Sequence, residues 1–194
     1  MRTVYWLLTL VVAVVITAFT TLHVGSAKVA ASEPAAATAN PVGTVRDVMR
    51  GIVDPNATAI WDSVGTESND KGLVEKSPKT DEEWTVVERH ALTLAEAANL
   101  LITPGRHLAL PAEANYKSKP DAPELTPTQI EQKIAANPGE WIKHAKDLQA
   151  TATKALAAAR AKNKDALLDV GEAIDNACES CHLVYWYPDD KSAK

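Results

Sequence analysis

The sequence predicts an all-α protein, an antiparallel four-helix bundle, and three observations carry that expectation. Alanine is abundant, glycine is scarce at 8 of 194 residues, and the single Phe is Phe19; this composition favours helices packed through small side chains. Four stretches carry apolar residues at three-and-four spacing, the period of a helix with one buried face. Each stretch is bounded by residues that start or stop helices. A helix with one apolar stripe must bury it against another element, so the four are expected to pack together.

The first stretch covers 44–64, with Val45, Val48, Met49, Ile52 and Val53 on one stripe that resumes at Ala57, Ile60, Trp61 and Val64. Pro55 is expected to break or kink it after Asp54. Residues 66–79, with Gly72 and Pro78, read as a loop. Thr80 followed by Glu83 opens the second helix as a capping box. Its stripe is Trp84, Val87, Ala91, Leu94, Ala98 and Leu101, and Pro104-Gly105 stops it. The connection 105–125, with Pro111, Pro120 and Pro123, is longer than helix–helix connections usually are. Thr126-Pro127 starts a short helix, and Asn137-Pro138 starts the third long one. That helix aligns Trp141, Ala145, Leu148, Ala152, Ala155 and Ala159, and it turns at Asn163. The fourth runs from Lys164 to Pro188 with Leu167, Val170, Ile174, Ala177 or Cys178, Cys181 and Val184 at helical spacing.

Residues 1–31 read as a secretory signal peptide or an N-terminal membrane anchor. Arg2 precedes 19 residues, Val4 to Leu22, without a charge; that length lies where cleaved signals and membrane spans overlap. Residues 32–42 read as a linker, within a stretch rich in Ala, Ser, Thr and Pro, and 43–194 as the folded domain. Either reading places that domain across the cytoplasmic membrane, in the periplasm, with Arg2 inside.

Net charge is −5, and without Arg2 and Lys28 the rest carries −7. No basic cluster suggests nucleic acid binding, and an acidic surface suits a basic redox partner. The only two cysteines stand three residues apart, in Cys178-Glu-Ser-Cys181-His182. This is the haem c attachment pattern. Two thiols so spaced reach two vinyl groups of one porphyrin as thioethers, and the next residue, His182, turns its imidazole to the iron. A thioredoxin-like pair would open a helix after a strand, and a zinc site would need a second ligand pair.

In an up-down bundle a haem at the end of the fourth helix lies near the start of the first and third and the end of the second. Met49 and His144 stand at that level, and His107 follows the second helix closely enough to swing in. His90 is roughly 16 Å up the axis from Leu101 at ~1.5 Å per residue; His23 belongs to the leader. Met49 as sixth ligand would raise the reduction potential.

The layout resembles the class II cytochromes c, the group of cytochrome c′ and its low-spin, Met-ligated relatives, over roughly residues 42–187. The residues that carry the resemblance are the haem motif near the end of a fourth helix, with Met49-Arg-Gly-Ile-Val-Asp-Pro55, Ile60-Trp61 and Thr80-Asp-Glu-Glu-Trp84. In the Met-ligated relatives the sixth ligand comes from the first helix, which implies Met49. In cytochrome c′ a Tyr-Arg pair commonly follows the haem His; Tyr185 matches the Tyr, and Trp186 stands in place of the Arg. The resemblance also admits a homodimer. Arg46 and Arg50 are candidates to pair with haem propionates, with a solvated helix face the preferred reading for at least one of them. Trp61, Trp84, Trp141, Tyr185 and Trp186 are candidates to pack near the porphyrin, with core filling preferred for Trp61 and Trp84.

The expected function is one-electron transfer by a periplasmic monohaem cytochrome that is no enzyme by itself. A cytochrome c′-like gas binder with an open distal site lined by Val48 and Ile52 is one alternative. A membrane-anchored haem subunit of a larger redox complex is the other, and it requires the leader to be retained.

Overall fold

The structure is a computed structural model that describes residues 40–70 and 72–188. The chain divides into Met1–Thr38 and Ala39–Lys194, and everything described belongs to the second unit. The leader, with its signal or anchor reading and His23, lies outside the described residues. No helix among the described residues is long and apolar enough to cross a membrane.

The first helical stretch is built in three pieces. Helix α1 (Val45–Val48) starts at a capping box, in which the Thr44 hydroxyl accepts the Asp47 N–H while the Asp47 carboxylate accepts the Thr44 N–H at 2.9 Å. A π turn follows over Met49–Val53, closed by the Asp54 N–H donating to the Met49 carbonyl, and α2 (Asp54–Trp61) continues with Pro55 in its first turn. The expected break at Pro55 therefore takes the form of a widened turn. A proline ring collides with the carbonyl four residues back in a regular helix and has no N–H to give; one wide turn before it relieves both.

Residues 66–79 are not simply a loop. Strands β1 (Gly65–Asn69) and β2 (Gly72–Lys76) pair antiparallel, with Thr66 opposite Glu75 and Ser68 opposite Leu73. Gly72 has φ +100, which a side chain would resist. The pair is exposed and mostly polar, so no apolar alternation marked it. Ion pairs tether it instead: Lys76 to Glu67 at 3.1 Å within the hairpin, and Glu75 to Lys164 at the start of the last helix.

Helix α3 (Asp81–Leu101) begins at the Thr80–Glu83 capping box. The connection that follows holds one 3₁₀ turn, Pro111–Glu113. Helix α4 (Pro127–Ala136) starts at a Thr126–Gln129 capping box, α5 (Pro138–Arg160) at Asn137, and α6 (Lys164–Tyr185) at Asn163. The turn between α5 and α6 puts Lys162 in the left-handed region at φ 51.

The fold is thus mostly helical with one small sheet. Helix α3 packs along α5, α5 along α6, and α2 against both α3 and α6. Both helices bury small side chains: Ala91, Ala97 and Ala98 of α3 and Ala152, Ala155 and Ala159 of α5 are nearly inaccessible. Ile60, Leu94, Leu167 and Ile174 are the largest fully buried side chains. Trp61 and Trp84 belong to this core; the Trp61 indole N–H donates to the Gly171 carbonyl at 2.9 Å, which seats α2 on α6.

Candidate functional site

The last turns of α6 place Cys178, Cys181, His182 and Tyr185 on one side, because residues three and four apart share a helix face. All four line one large cleft, whose other walls come from α1, the end of α3, the start of α5, the long connection and α4. From α1 and its π turn come Val45, Arg46, Met49 and Arg50. Helix α5 contributes Trp141, His144, Ala145 and Leu148, again at three-and-four spacing. The cleft holds about 1140 Å³ of space free of protein atoms, its open mouth included, and its surface is overwhelmingly apolar. The cavity volume within it is about 190 Å³, below the ~300–1,000 Å³ of drug-sized ligand sites, so a large occupant would extend into the open mouth.

The wall that sequence reasoning did not foresee is the long connection. Its Leu108, Tyr116 and Leu125, with Ile130 of α4, line the cleft. Backbone groups hold it there. The His107 and Leu108 carbonyls accept the Val45 and Arg46 N–H groups at 2.9 and 3.0 Å, and the Leu125 N–H donates to the Trp186 carbonyl at 2.7 Å. The Trp186 indole donates to Glu124 at 3.0 Å, and Arg106 reaches the Leu100 and Gly43 carbonyls. Three prolines and an unusual length were the only sequence signals of an ordered segment.

The histidines sort cleanly. His182 and His144 line the cleft. His107 does not swing in: its side chain is 83% exposed, 3.6 Å from Glu131, because its backbone carbonyl is committed to α1 and the neighbouring Leu108 takes the inward position. His90 bonds to Asn56 at 2.8 Å, away from the cleft. Val48 and Ile52 do not line the cleft either; Val48 is buried in the core and Ile52 packs against it, since Val45 and Met49, one turn apart, occupy the cleft-facing ridge.

Electrostatically the site is dry. Burial pushes the Cys178 thiol up to about 11 and the Cys181 thiol up to about 12, with the Asp175 and Asp54 charges adding to the first and Cys178 and Glu140 to the second. A dithiol redox catalyst needs a depressed thiol, and this pair moves the other way. Burial lowers the pKa of His182 against the pull of Glu179, so its imidazole is held neutral, the form that ligates a metal. Burial, then Glu140 and Cys181, push Tyr185 up to about 12, so its phenol stays protonated.

Three buried side-chain polar atoms among the described residues have no hydrogen-bond partner, Arg46 Nη1, His144 Nδ1 and Tyr185 Oη, and all three residues line this cleft. Glu113 approaches Arg46 Nη1 at 2.9 Å without hydrogen-bond alignment, and the guanidinium lies 4.1 Å over the Tyr116 ring. Tyr185 is held edge-on to Trp141 and His144, at 5.1 and 6.0 Å between ring centres. Orphaned groups cost about 1–3 kcal/mol each when nothing meets them, so an occupant with hydrogen-bond acceptors would relieve them. Two thiols, an adjacent neutral imidazole, a thioether from Met49 and apolar walls suit a large flat group bonded through sulfur and ligated through nitrogen. No family model, curated protein or solved structure matches the chain.

Proposed function

We propose that this protein is an exported monohaem c-type cytochrome for one-electron transfer, carrying haem on Cys178 and Cys181. In this reading α1 with α2, α3, α5 and α6 form an antiparallel four-helix bundle like that of the class II cytochromes c. The observation that carries it is the placement of Cys178, Cys181 and His182 on one face of the last helix, lining the same apolar cleft as Met49. The bound group would supply a one-electron couple.

The chain's own residues do the rest. Cys178 and Cys181 hold the group through two thioether bonds, and His182, neutral by burial, offers a ring nitrogen to the iron. Met49 would offer a thioether to the iron, and Arg46 and Arg50, on the same cleft, would supply positive charge for propionates. Leu108, Leu125 and Ile130 exclude water. Arg2 and the uncharged run after it direct export, with the leader cleaved or kept as an anchor, and the acidic surface favours a basic redox partner.

The test is production of the full chain in a host that attaches haem c outside its cytoplasm, followed by denaturing electrophoresis and haem staining. The stain should travel with the polypeptide and vanish when Cys178 and Cys181 are both changed to Ser. A colourless exported chain whose two thiols both titrate would overturn the proposal.

A further inference from the structure

We propose that the Tyr185 hydroxyl and His144 Nδ1 form a hydrogen-bonding subsite for a carboxylate of the porphyrin that the cleft accepts. This rests on the haem reading above. Tyr185 is 3% exposed, yet its hydroxyl has no partner, and the same is true of the buried His144 Nδ1. The two rings meet edge-on with centres 6.0 Å apart, and Trp141 also meets Tyr185 edge-on, at 5.1 Å, its own indole N–H committed to the Leu101 carbonyl at 3.1 Å. The orphaned pair is therefore built in by packing, on a cleft whose surface is mostly apolar.

The chemistry of the pair selects the ligand. A protonated phenol donates one hydrogen bond, and an imidazole nitrogen donates a second in the tautomer that carries its proton there. Two donors on adjoining rings give a carboxylate one partner for each oxygen, and such charge-assisted bonds are the strong ones. Arg46, whose Nη1 lies 2.9 Å from Glu113, lines the same cleft. An apolar body bearing carboxylates satisfies the walls and the donors together.

The experiment is a binding titration of the full chain, made without haem attachment, with metal-free protoporphyrin IX and with its dimethyl ester. Leaving out the metal removes axial ligation from the measurement. The unmodified chain should prefer the diacid. Tyr185→Phe and His144→Phe should each reduce that preference about tenfold, the scale of one charge-assisted hydrogen bond, with the ester bound as before. In the ligand-free chain, Tyr185→Phe should leave the urea midpoint unchanged or higher, because it deletes an unpaired buried hydroxyl. The same acid-to-ester ratio in the variants as in the unmodified chain, the result if the pair only holds a water, overturns the subsite; so does a lowered midpoint for ligand-free Tyr185→Phe. Haem covalently attached on export together with an unchanged ratio defeats this subsite alone. An exported chain without haem that still shows the Tyr185- and His144-dependent preference defeats the cytochrome reading and leaves the subsite standing.

Discussion

Gly171 sits inside α6, seven residues before Cys178, where its carbonyl accepts the Trp61 indole N–H. A methyl group at 171 would lie 3.4 Å from Trp61 Cδ1 and 3.9 Å from Nε1, in contact without overlap. Alanine also gains about 0.8–1.0 kcal/mol over glycine in a helix interior. Gly171→Ala should therefore stabilise the protein by about 0.5–1 kcal/mol, with a melting point higher by about 1–4 °C for a domain this size. Gly171→Val adds two methyls beyond that point. With the ring already at 3.4 Å they must displace it, and overpacking of this kind costs about 1–3 kcal/mol. Trp61→Phe shortens the ring and removes the indole N–H, so in that background the valine penalty should shrink, a coupling of about 0.5–3 kcal/mol. Urea unfolding followed by circular dichroism reads all five proteins, with midpoints compared at constant slope. An alanine variant less stable by more than about 1 kcal/mol, outside the range argued from helix propensity, would refute the seating of α2 on α6. A valine penalty identical in both backgrounds would refute it too.

Met49→Ala, read by absorption spectroscopy of the haem-loaded protein, should convert a low-spin spectrum to a high-spin, CO-reactive one and lower the reduction potential; an unchanged spectrum would remove Met49 from the iron. Acid stability follows from the caps. Backbone hydrogen bonds hold the Asp47 carboxyl (from Thr44) and the Glu83 carboxyl (from Lys79 and Thr80) below their ordinary ranges. Each binds its proton more weakly folded than unfolded, so the stabilisation is complete above about pH 4–4.5 and is lost as pH falls through the lower folded values. The melting point should drop across that window by less in Glu83→Gln than in the unmodified protein, and parallel curves would show that the cap carries no charge-dependent stability.

Much of the helix layout was legible because its signals are local. Thr80 and Glu83, Thr126 and Gln129, and Asn137 before Pro138 satisfy backbone groups within one turn, and the helices begin at those residues. The hairpin was not legible: β1 and β2 are short, exposed and polar, and one of the ion pairs holding them, Glu75 to Lys164, spans 89 residues. Pro55 announced an irregularity, but whether the chain would kink, break or widen depended on Met49 and Asp54 finding each other across the π turn.

The site divides along the same line. The order of residues along one helix suffices to put Cys178, Cys181, His182 and Tyr185 on a common face, since helical periodicity needs no other element. Sequence alone also marked Met49 and His144 as standing at the right level. Tertiary structure decided which of the level residues look inward: His144 does, His107 is turned out beside Glu131, and Val48 and Ile52 face the core. It alone decided that residues 105–125 become a wall of the cleft, and that three buried side-chain polar atoms would be left without a hydrogen bond there. The physical reason is that such orientations come from how separate segments rotate and lock against one another, through contacts like Val45 to His107 and Leu125 to Trp186 that no local pattern encodes.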